Sequence, residues 1–390
     1  MNIAINTLAL YKIKAGMGNY IFHLVKEVIS ADTSQKNKYF IYVSNKNREY
    51  FKELSVKENI RLISVPNIFL SYYGKLFFEQ CIIPFDLMKK RIEIYHAPGF
   101  ALPLISISKG VKYVVTIADM TFFSHSQYHL AVKKTYFRWM IPRSIKKADA
   151  VIAISESTKQ DICKYIPEAA GKTWRLYLGV DKSFTEQRIN TKKKDSKPKE
   201  SNVREKYWIK KEYILYVGVL EPRKNVEGLI CAFAEIKKTN KNISLVIAGK
   251  KGWMYENIFA LVEKLGLKED IIFTDYVADN YLYWLYKNAL CFCYPSFYEG
   301  FGLPVLEAMA VGCPVITSNI SSLKEIAEGA AILIDPHNQK QLISALETLL
   351  KNKGQRDNLV QKGKKRAEQF SWEKMGKETL ALYEYVYLYL

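Results

Sequence analysis

Long uncharged stretches are absent from this sequence of 390 residues. No segment reaches the ~18 apolar residues that a membrane-spanning helix needs. Residues 1–15 also lack the apolar core behind a basic start that marks a cleavable leader. We therefore expect a cytoplasmic protein that is neither secreted nor integral to a membrane.

Cysteine is scarce, and its spacing indicates neither disulfides nor a metal site. The six cysteines form no C-x-x-C pair. Cys291 and Cys293 alternate along a predicted strand, so both side chains face one side of it and act as small core residues. This usage fits a reducing compartment. No ligand cluster requires a metal, and we expect no cofactor.

Acidic residues are too few to balance the basic ones, and the net charge is +19. Residues 1–180 carry 26 Lys and Arg against 13 Asp and Glu, whereas residues 211–390 carry 22 against 21. A basic first half is expected to meet an anionic surface, either nucleic acid or anionic lipid. No RNA- or DNA-binding module is present, so we expect no nucleic acid partner.

The length of the chain indicates two domains. A polar, lysine-rich stretch over residues 185–205 predicts a linker between a domain of residues 1–184 and a second of residues 206–370. Apolar strands alternate with helical patterns in both parts, which predicts an α/β fold with parallel sheets covered on both faces. The predicted strands are 2–8, 38–44, 60–65, 92–96, 112–117, 150–154 and 173–178, then 213–220, 245–249, 271–277, 289–294 and 315–318.

The segment that follows residues 289–294 predicts an anion-binding turn. Gly300 and Gly302 let the backbone turn sharply and approach a ligand. Pro304 suits the first turn of a helix, and Gly312 suits its end. A strand, a glycine turn and a short helix leave free backbone N–H groups and the positive end of a helix dipole above the strand.

Two carboxylates flank this turn, Glu299 before the glycines and Glu307 in the helix. An ionised carboxylate only accepts hydrogen bonds, so the pair suits a ligand with hydroxyls on both sides of its phosphates, such as a nucleotide sugar. The alternative is that Glu299 is a solvated loop charge and Glu307 a helix-dipole partner.

A second loop, after the predicted strand 213–220, supplies cations for the same ligand. Arg223 and Lys224 precede Asn225, the predicted N-cap of the next helix. A guanidinium fork and an ammonium point charge at a helix start suit a diphosphate. Ser322 and Glu325 are also spaced as a capping box.

The run Pro295-Ser296-Phe297-Tyr298-Glu299-Gly300-Phe301-Gly302-Leu303-Pro304, with Glu307 behind it, resembles the donor-site motif of retaining glycosyltransferase family 4. The resemblance extends over nearly the whole chain. It implies the GT-B fold, in which two Rossmann-like, doubly wound parallel-sheet domains face a cleft. It also implies that a C-terminal helix, residues 371–390, packs back on the first domain.

The resemblance assigns roles to individual residues. Glu299 and the backbone of Gly300, Phe301, Gly302 and Leu303 would hold the donor sugar and phosphate, Glu307 the ribose, and Arg223 and Lys224 the diphosphate. Val277 lies at the position that contacts the nucleotide base in relatives, and Gly218 is also expected to bind the donor. Gly16 and Gly18 resemble the N-terminal glycine loop of the family and are expected to bind the donor, although a simple tight turn is the alternative. Glu299, Arg223 and Lys224 are predicted to be catalytic, and Asp119 is our candidate for a polar catalytic group near the acceptor.

One position departs from the family pattern. Relatives carry Thr-Ile-His-Asp where this chain has Thr116-Ile117-Ala118-Asp119. In the family, the histidine contacts the transferred sugar near its 6-hydroxyl. Ala118 therefore indicates either an inactive copy or a donor without a 6-hydroxyl, such as a deoxyhexose.

Residues 72–91 and 133–147 mix basic and aromatic side chains. Such segments favour a membrane interface, where each Lys or Arg contributes ~1 kcal/mol near anionic lipid. The alternative is a pair of core-facing helices with solvated basic faces, and Pro84 and Pro142 interrupt both segments. Membrane contact would make the protein peripheral on the inner face of the cell membrane.

Together these features predict a retaining glycosyltransferase that moves a hexose or deoxyhexose from a nucleoside-diphosphate sugar, with GDP-mannose as the first candidate. The expected acceptor is a glycan or lipid-linked glycan in surface polysaccharide synthesis. A catalytically impaired nucleotide-sugar-binding protein and a GT-B epimerase are the alternatives.

Overall fold

A computed structural model describes residues 1–10, 16–128, 131–185 and 200–390. The chain divides into two compact units. The first unit comprises Met1–Gly179 and Ser371–Leu390, and the second comprises Val180–Phe370. Most of the predicted linker, residues 186–199, lies outside the described residues.

The described part of the first unit is built on a seven-stranded parallel sheet in the order β3-β2-β1-β4-β5-β6-β7. The inner strands of this sheet are almost wholly buried, because helices cover both faces and side chains on either face then point into a core. The edge strands β3 and β7 are partly exposed. The strands are β1 Asn2–Asn6, β2 Lys38–Ser44, β3 Ile60–Val65, β4 Ile94–Ala97, β5 Lys112–Ile117, β6 Ala150–Ala153 and β7 Thr173–Arg175.

The described part of the second unit has a six-stranded parallel sheet in the order β10-β9-β8-β11-β12-β13. Its strands are β8 Glu212–Val217, β9 Ile243–Ala248, β10 Ile271–Asp275, β11 Cys291–Tyr294, β12 Val315–Ser318 and β13 Ile332–Ile334. Strand order reverses between β8 and β11, and this topological switch point is where open α/β sheets bind their ligands.

Helices form most of the crossover connections that parallel pairing requires, whereas residues 98–111 join β4 to β5 without a helix. Those of the first unit are α1 Met17–Ala31, α2 Tyr72–Phe77, α3 Ile83–Lys89, α4 Thr121–Ser124, α5 Ala131–Lys147 and α6 Glu156–Tyr165. The second unit contains α7 Glu200–Lys206, α8 Val226–Thr239, α9 Glu256–Lys264, α10 Asp279–Asn288, α11 Leu303–Val311, α12 Ser321–Ala327, α13 Gln339–Lys351 and α14 Lys353–Ala367. The last helix, α15 Trp372–Tyr389, returns to the first unit.

Several boundaries differ from the predicted ones. Helix α1 begins at Met17, so Gly18 lies inside its first turn rather than in a loop. The end of the predicted linker is helical, because Val203 of α7 is buried and α7 packs against α10. Strand β7 ends at Arg175, three residues earlier than predicted.

Helix α15 packs closely against α1. The Trp372 indole stacks on the His23 ring at 4.4 Å between centroids. A Cβ atom added at Gly376 would lie 2.5–2.7 Å from atoms of Glu27, so only glycine permits this approach of the two helices. Small residues at such crossings let helix backbones come together.

The aromatic and basic segment of residues 72–91 has apolar side chains on two faces. Phe78, Ile83 and Leu87 belong to the core, whereas Tyr73 is 78% and Phe85 58% exposed. Its described elements are α2, the π-helical turn Phe78–Ile82 and α3. The core-facing alternative therefore accounts for one face of this segment and leaves the outer face unexplained.

The second such segment forms most of α5, and one face of that helix packs into the core. Phe137 stacks on Phe122 at 4.4 Å, and Ile141 is fully buried. Trp139 is 45% exposed, and the Arg143 guanidinium lies 4.3 Å from its ring centroid. Pro142 lies inside the helix, as the sequence indicates.

Candidate active site

The switch point of the second unit brings two loops together that are distant in sequence. Strands β8 and β11 are hydrogen-bonded neighbours, so the loops that follow them leave the same edge of the sheet side by side. The first loop carries Arg223 and Lys224 in the turn Pro222–Lys224. The second carries Glu299, and the two loops meet through a buried ion cluster.

Glu299 is paired with two cations, one on each carboxylate oxygen. Lys224 Nζ donates a hydrogen bond to Glu299 Oε1, and Arg223 Nη1 lies 3.2 Å from Oε2. The Arg223 guanidinium also donates to Glu221 Oε1 at 2.6 Å. The structure thus joins three of the predicted catalytic residues in direct contact.

Two hydroxyls complete the cluster at Oε1 of Glu299. Tyr294 Oη donates to it at 3.0 Å, and Ser296 Oγ donates at 2.8 Å. Lys224 Nζ also donates to Tyr294 Oη at 2.6 Å. Neither hydroxyl was predicted to belong to the site, although Ser296 lies in the donor-site motif and Tyr294 directly precedes it.

The cluster keeps Glu299 ionised. Burial raises the pKa of this carboxyl group, but the charges of Arg223 and Lys224 and the hydrogen bonds from Lys224 and Ser296 outweigh burial and lower the pKa to about 2. Glu299 is only 8% exposed, so it is not a solvated loop charge. The solvated alternative for this residue is therefore wrong.

The start of α12 holds the backbone of Glu299. Glu299 N–H donates to Ser321 Oγ at 3.1 Å, and Ser322 Oγ donates to the Glu299 carbonyl at 2.8 Å. Ser322 does not cap its own helix, so the predicted capping box with Glu325 is wrong. The Ser322 hydroxyl instead donates to a buried carbonyl in the neighbouring loop. That hydrogen bond stabilises the fold more than a bond to one exposed amide at the helix end would.

Asn225 likewise has a different role from the predicted one. It precedes α8, but its side chain does not accept a capping hydrogen bond. Its Nδ2 donates to the carbonyls of Pro295 and Pro336 at 3.1 and 3.0 Å. Its backbone φ is +54°, a left-handed conformation that Asn tolerates better than most residues. Asn225 thus ties the β8 loop to the β11 loop.

The glycine turn leads directly into α11, as predicted. Gly302 has φ +107°, and a Cβ atom there would lie 2.7 Å from Leu323 Cδ2. Leu303 begins the helix, Pro304 lies in its first turn, and Gly312 ends it at φ +87°. The helix is short but rigidly placed, since nearly all its residues are buried.

Glu307 has its own partner in the second unit. Tyr286 Oη of α10 donates to Glu307 Oε2 at 3.1 Å. The Tyr286 ring lies 5.3 Å from that of Phe292 in β11. An aromatic wall therefore positions this carboxylate, and the helix dipole alone does not explain its placement.

The remaining predicted donor residues of this unit lie at neighbouring strand ends. Gly218 follows β8, and a Cβ atom at Gly249, after β9, would lie only 1.8 Å from the Gly218 carbonyl oxygen. The two backbones therefore touch. Val277 is buried two residues beyond β10. Gly300 and Phe301 lie in the turn between Glu299 and Gly302.

The predicted residues of the first unit belong to its own strand ends. Gly16 precedes α1 with φ +51°, and part of the glycine loop, residues 11–15, lies outside the described residues. Asp119 Oδ1 accepts hydrogen bonds from the backbone N–H, at 2.9 Å, and the hydroxyl of Thr121. The Ala118 carbonyl accepts from Thr158 Oγ1 at 3.2 Å. Asp119 thus stabilises its own turn, and its catalytic role stays a prediction.

A buried polar chain in the first unit was not foreseen. His96 of β4 bonds to Tyr383 Oη of α15 through Nδ1, and to Thr116 Oγ1 through Nε2 at 2.8 Å. Thr116 in turn pairs with Tyr20 Oη of α1 at 2.8 Å. Burial lowers the pKa of His96 to about 3, so the ring is neutral. The chain joins α15 and α1 to the strand that leads to Asp119.

The described residues contain neither a metal-ligand cluster nor a membrane-spanning helix. No group of three or more His, Cys, Asp or Glu residues converges there as a metal site. In that part of the chain, no helix combines the length and the apolar character needed to cross a bilayer.

Comparisons with known proteins identify the family of the chain. The family model "Glycosyl transferases group 1" matches residues 198–366, and "Glycosyltransferase Family 4" matches residues 15–184. "O-antigen chain mannosyltransferase B" from Escherichia coli is 32% identical over 75% of this chain and 74% of its own length. "O-antigen chain mannosyltransferase RfbU" from Salmonella typhimurium is 29% identical over 56% of each. The serotype-specific mannosyltransferase WbdA of Escherichia coli is 31% identical over 58% of this chain but 28% of its own.

Solved structures share the fold. "WaaG, a glycosyltransferase involved in lipopolysaccharide biosynthesis" aligns with a TM-score of 0.72 at 18% identity, over 97% of this chain and 99% of that one. Sucrose-phosphate synthase from Thermosynechococcus elongatus aligns with a TM-score of 0.74 at 19% identity over 99% of both. The predicted GT-B fold is confirmed, and the chain belongs to glycosyltransferase family 4 as an enzyme of the group 1 type.

Proposed function

We propose that this glycosyltransferase moves a hexose, with retention of configuration, from a nucleoside-diphosphate sugar to a growing glycan or lipid-linked glycan of a surface polysaccharide. The contact of Glu299 with Arg223 and Lys224 beneath the glycine turn carries the proposal. GDP-mannose is the first candidate donor, because the relatives from Escherichia coli and Salmonella typhimurium are named as mannosyltransferases of O-antigen chains.

The cluster supplies what departure of a nucleoside diphosphate needs. As the bond from the sugar to the diphosphate breaks, negative charge grows on the leaving oxygen while the sugar becomes oxocarbenium-like. Arg223, Lys224 and the backbone amides at the start of α11 stabilise that charge, and preformed donors in a buried site need little reorganisation. A bound diphosphate would share the two cations with Glu299, whose acceptor-only oxygens can then take sugar hydroxyls.

Glu307 would bind the ribose at the other side of the phosphates. Its carboxylate is already oriented by Tyr286, so its acceptor oxygens are presented without loss of side-chain entropy on binding. No step in this scheme passes through a metal ion, and we propose that none is required.

Ala118 supports a second donor class. Where the family pattern carries a histidine near the 6-hydroxyl, a methyl group instead favours a 6-deoxyhexose such as rhamnose. Turnover with GDP-mannose and dTDP-rhamnose compares the two, and clear preference for mannose excludes the deoxy-sugar proposal. Absence of transfer and of slow donor hydrolysis with either donor would favour the catalytically impaired alternative.

Substitution of Lys224 tests the proposed site. We expect Lys224→Met to lower kcat/KM by roughly 100-fold or more, as removal of one transition-state donor does elsewhere. The matched control is Lys211→Met, because Asp270 keeps its second partner Lys237 at 2.7 Å. Donor binding is followed by thermal shift with nucleoside diphosphates and their sugars. Equal activity of the two variants would exclude Lys224 from the reaction.

We further propose peripheral membrane association through residues 72–91. The outer face of this segment combines exposed Tyr73, Phe77 and Phe85 with Lys89 and Arg91. Aromatic side chains at the headgroup level with nearby cations suit an anionic bilayer surface. A lipid-linked acceptor would be found there.

A further inference from the structure

A cavity of about 340 Å³ lies in the first unit at the amino-terminal edge of its sheet. Asp149 directly precedes β6, and Lys172 directly precedes β7. Trp174 of β7 and the end of α15, with Tyr385 and Leu390, complete the lining. In parallel α/β sheets the reaction site lies at the opposite, carboxyl-terminal edge, so this cavity has no part in donor binding.

The cavity has an aromatic corner. The rings of Trp174 and Tyr385 meet edge to face, with centroids 5.4 Å apart and planes at 62°. Each side chain is 41% exposed, although both are large enough to be buried in a core. Tyr389 adds a third ring 5.4 Å from Tyr385 and is 72% exposed. Two inclined rings that remain open to solvent can receive the C–H face of a sugar ring.

Polar groups of both kinds stand beside this corner. Asp149 Oδ2 accepts from Tyr113 N–H at 2.7 Å, which leaves Oδ1 near Lys112 Nζ at 3.9 Å. Lys172 Nζ donates to the carbonyls of Ala148 and Lys146 at 2.7 and 2.9 Å. An anion would meet the Asp149 carboxylate, and a cation would meet the Lys172 ammonium. A hydroxyl donates and accepts, so a neutral polyhydroxylated ligand satisfies both.

Cations beside the cavity have acidic partners, which separates it from the outer face of residues 72–91. Lys146 Nζ pairs with Glu168 at 2.9 Å, and Lys112 Nζ lies 3.9 Å from Asp149 Oδ1. An anionic bilayer attracts a flat surface with a basic excess. A concave, aromatic site whose cations are paired suits a saccharide.

We propose that this cavity is an accessory saccharide-binding site, which holds a distal part of the glycan acceptor. The proposal rests on the proposed function for the identity of its ligand. The six residues of β5 span roughly 20 Å at ~3.3 Å per residue, so an acceptor must be at least that long to reach both edges of the sheet. Holding the distal part raises the effective concentration of the acceptor end, so long acceptors gain affinity and short ones do not.

Direct binding tests the cavity without any transfer reaction. The full chain is titrated with an α-linked mannose tetrasaccharide, in the absence of donor, by calorimetry. We expect Trp174→Ala and Tyr385→Ala each to weaken binding about tenfold, while Trp174→Phe retains most of it because a ring face remains. Trp208→Ala is the matched control, since Trp208 is 77% exposed and belongs to the second unit. No binding by the unmodified protein, or equal binding by all variants, overturns the proposal.

Acceptor length provides the second measurement. We expect Trp174→Ala to raise KM about tenfold for acceptors longer than the sheet edge-to-edge distance, with kcat unchanged and short acceptors unaffected. If no donor supports transfer, the proposed function fails while the binding result still stands. If Trp174→Ala instead weakens binding to vesicles of phosphatidylglycerol and phosphatidylcholine and leaves oligosaccharide binding unchanged, the surface is a membrane contact and the saccharide proposal is wrong.

Discussion

At the scale of single residues, the candidate site of the second unit depends on Glu299 remaining ionised although its side chain is buried. A carboxylate without partners would gain a proton on burial. Arg223 and Lys224 prevent this, since one cation meets each carboxylate oxygen. Arg223 also keeps Glu221 as a second acidic partner. Glu299 is therefore both a stabilising group and a permanent hydrogen-bond acceptor at physiological pH.

Loss of Glu299 should change the acid stability of the protein. Because the folded pKa of about 2 lies below the ordinary 4.5, ionised Glu299 stabilises the folded state above about pH 5, and this contribution is lost as the pH falls toward 2. We expect Glu299→Gln to lower the free energy of unfolding at pH 7 by about 3 kcal/mol, since it leaves two buried cations short of a partner. The decline of stability between about pH 5 and pH 2 should become shallower.

Urea unfolding at a series of pH values measures both effects. Glu328→Gln is the control, because Glu328 is exposed in the same unit. If the free energy of unfolding of Glu299→Gln declined as steeply between about pH 5 and pH 2 as that of the unmodified protein, Glu299 would not be held ionised by this cluster.

Gly302 should be more sensitive to substitution than a glycine of similar backbone conformation. Gly302 and Gly329 both have positive φ, +107° and +71°, but only Gly302 has a neighbour that a Cβ atom would strike. We expect Gly329→Ala to cost about 1 kcal/mol from strain alone, and Gly302→Ala to cost about 1–3 kcal/mol more because buried Leu323 must shift. Denaturant unfolding of both variants makes the comparison, and equal losses would show that Leu323 yields freely.

At the scale of elements, the bounds of several strands were predicted more accurately than the starts of the helices. The strands Lys38–Ser44, Ile60–Val65, Lys112–Ile117 and Val315–Ser318 match the predicted bounds, because each is an apolar run with turn residues at its ends. Helix starts were less predictable. Ser322 and Asn225 both have the side chains of caps, yet each bonds to a neighbouring loop instead. Capping chemistry is local, but a nearby buried carbonyl competes for the same donor.

The packing of α15 on α1 should depend on the absence of a side chain at Gly376. We expect Gly376→Ala to destabilise the first unit by about 1–3 kcal/mol, because a Cβ atom would overlap the Glu27 backbone. Gly354→Ala in α14 is the matched control, since its nearest neighbour is 3.5 Å away. Alanine improves helix propensity there by up to ~1 kcal/mol, so the two changes should have opposite signs in thermal unfolding. If both substitutions changed thermal stability in the same direction, α15 and α1 could move apart at little cost in free energy.

At the scale of the whole molecule, the excess of positive charge is confined to the first 210 residues. The exposed aromatic side chains of residues 72–91 belong to the same unit. In the proposed membrane association, charge would attract the protein to an anionic surface over roughly a Debye length, and apolar side chains would then hold it there.

Vesicle binding tests this combination. We expect Phe77→Gln with Phe85→Gln to weaken binding to vesicles of phosphatidylglycerol and phosphatidylcholine at least about tenfold, because two rings no longer enter the interface. Val56→Gln is the control, as Val56 is 84% exposed elsewhere in the same unit. Binding should also fall steeply with salt in cosedimentation assays. Indifference to both the substitutions and salt would refute association through this face.

The sequence by itself determined the strand pattern, the glycine turn and the pair of glutamates, because these depend on residues that are neighbours in the chain. Tertiary structure decided which charges meet. Glu299 lies 75 residues from Lys224, and their contact exists because β8 and β11 are neighbours at the switch point. The same holds for the corner of Trp174 and Tyr385, which α15 closes from the far end of the chain. Periodicity predicts which residues face a core, whereas the order of strands in a sheet sets which loops come together.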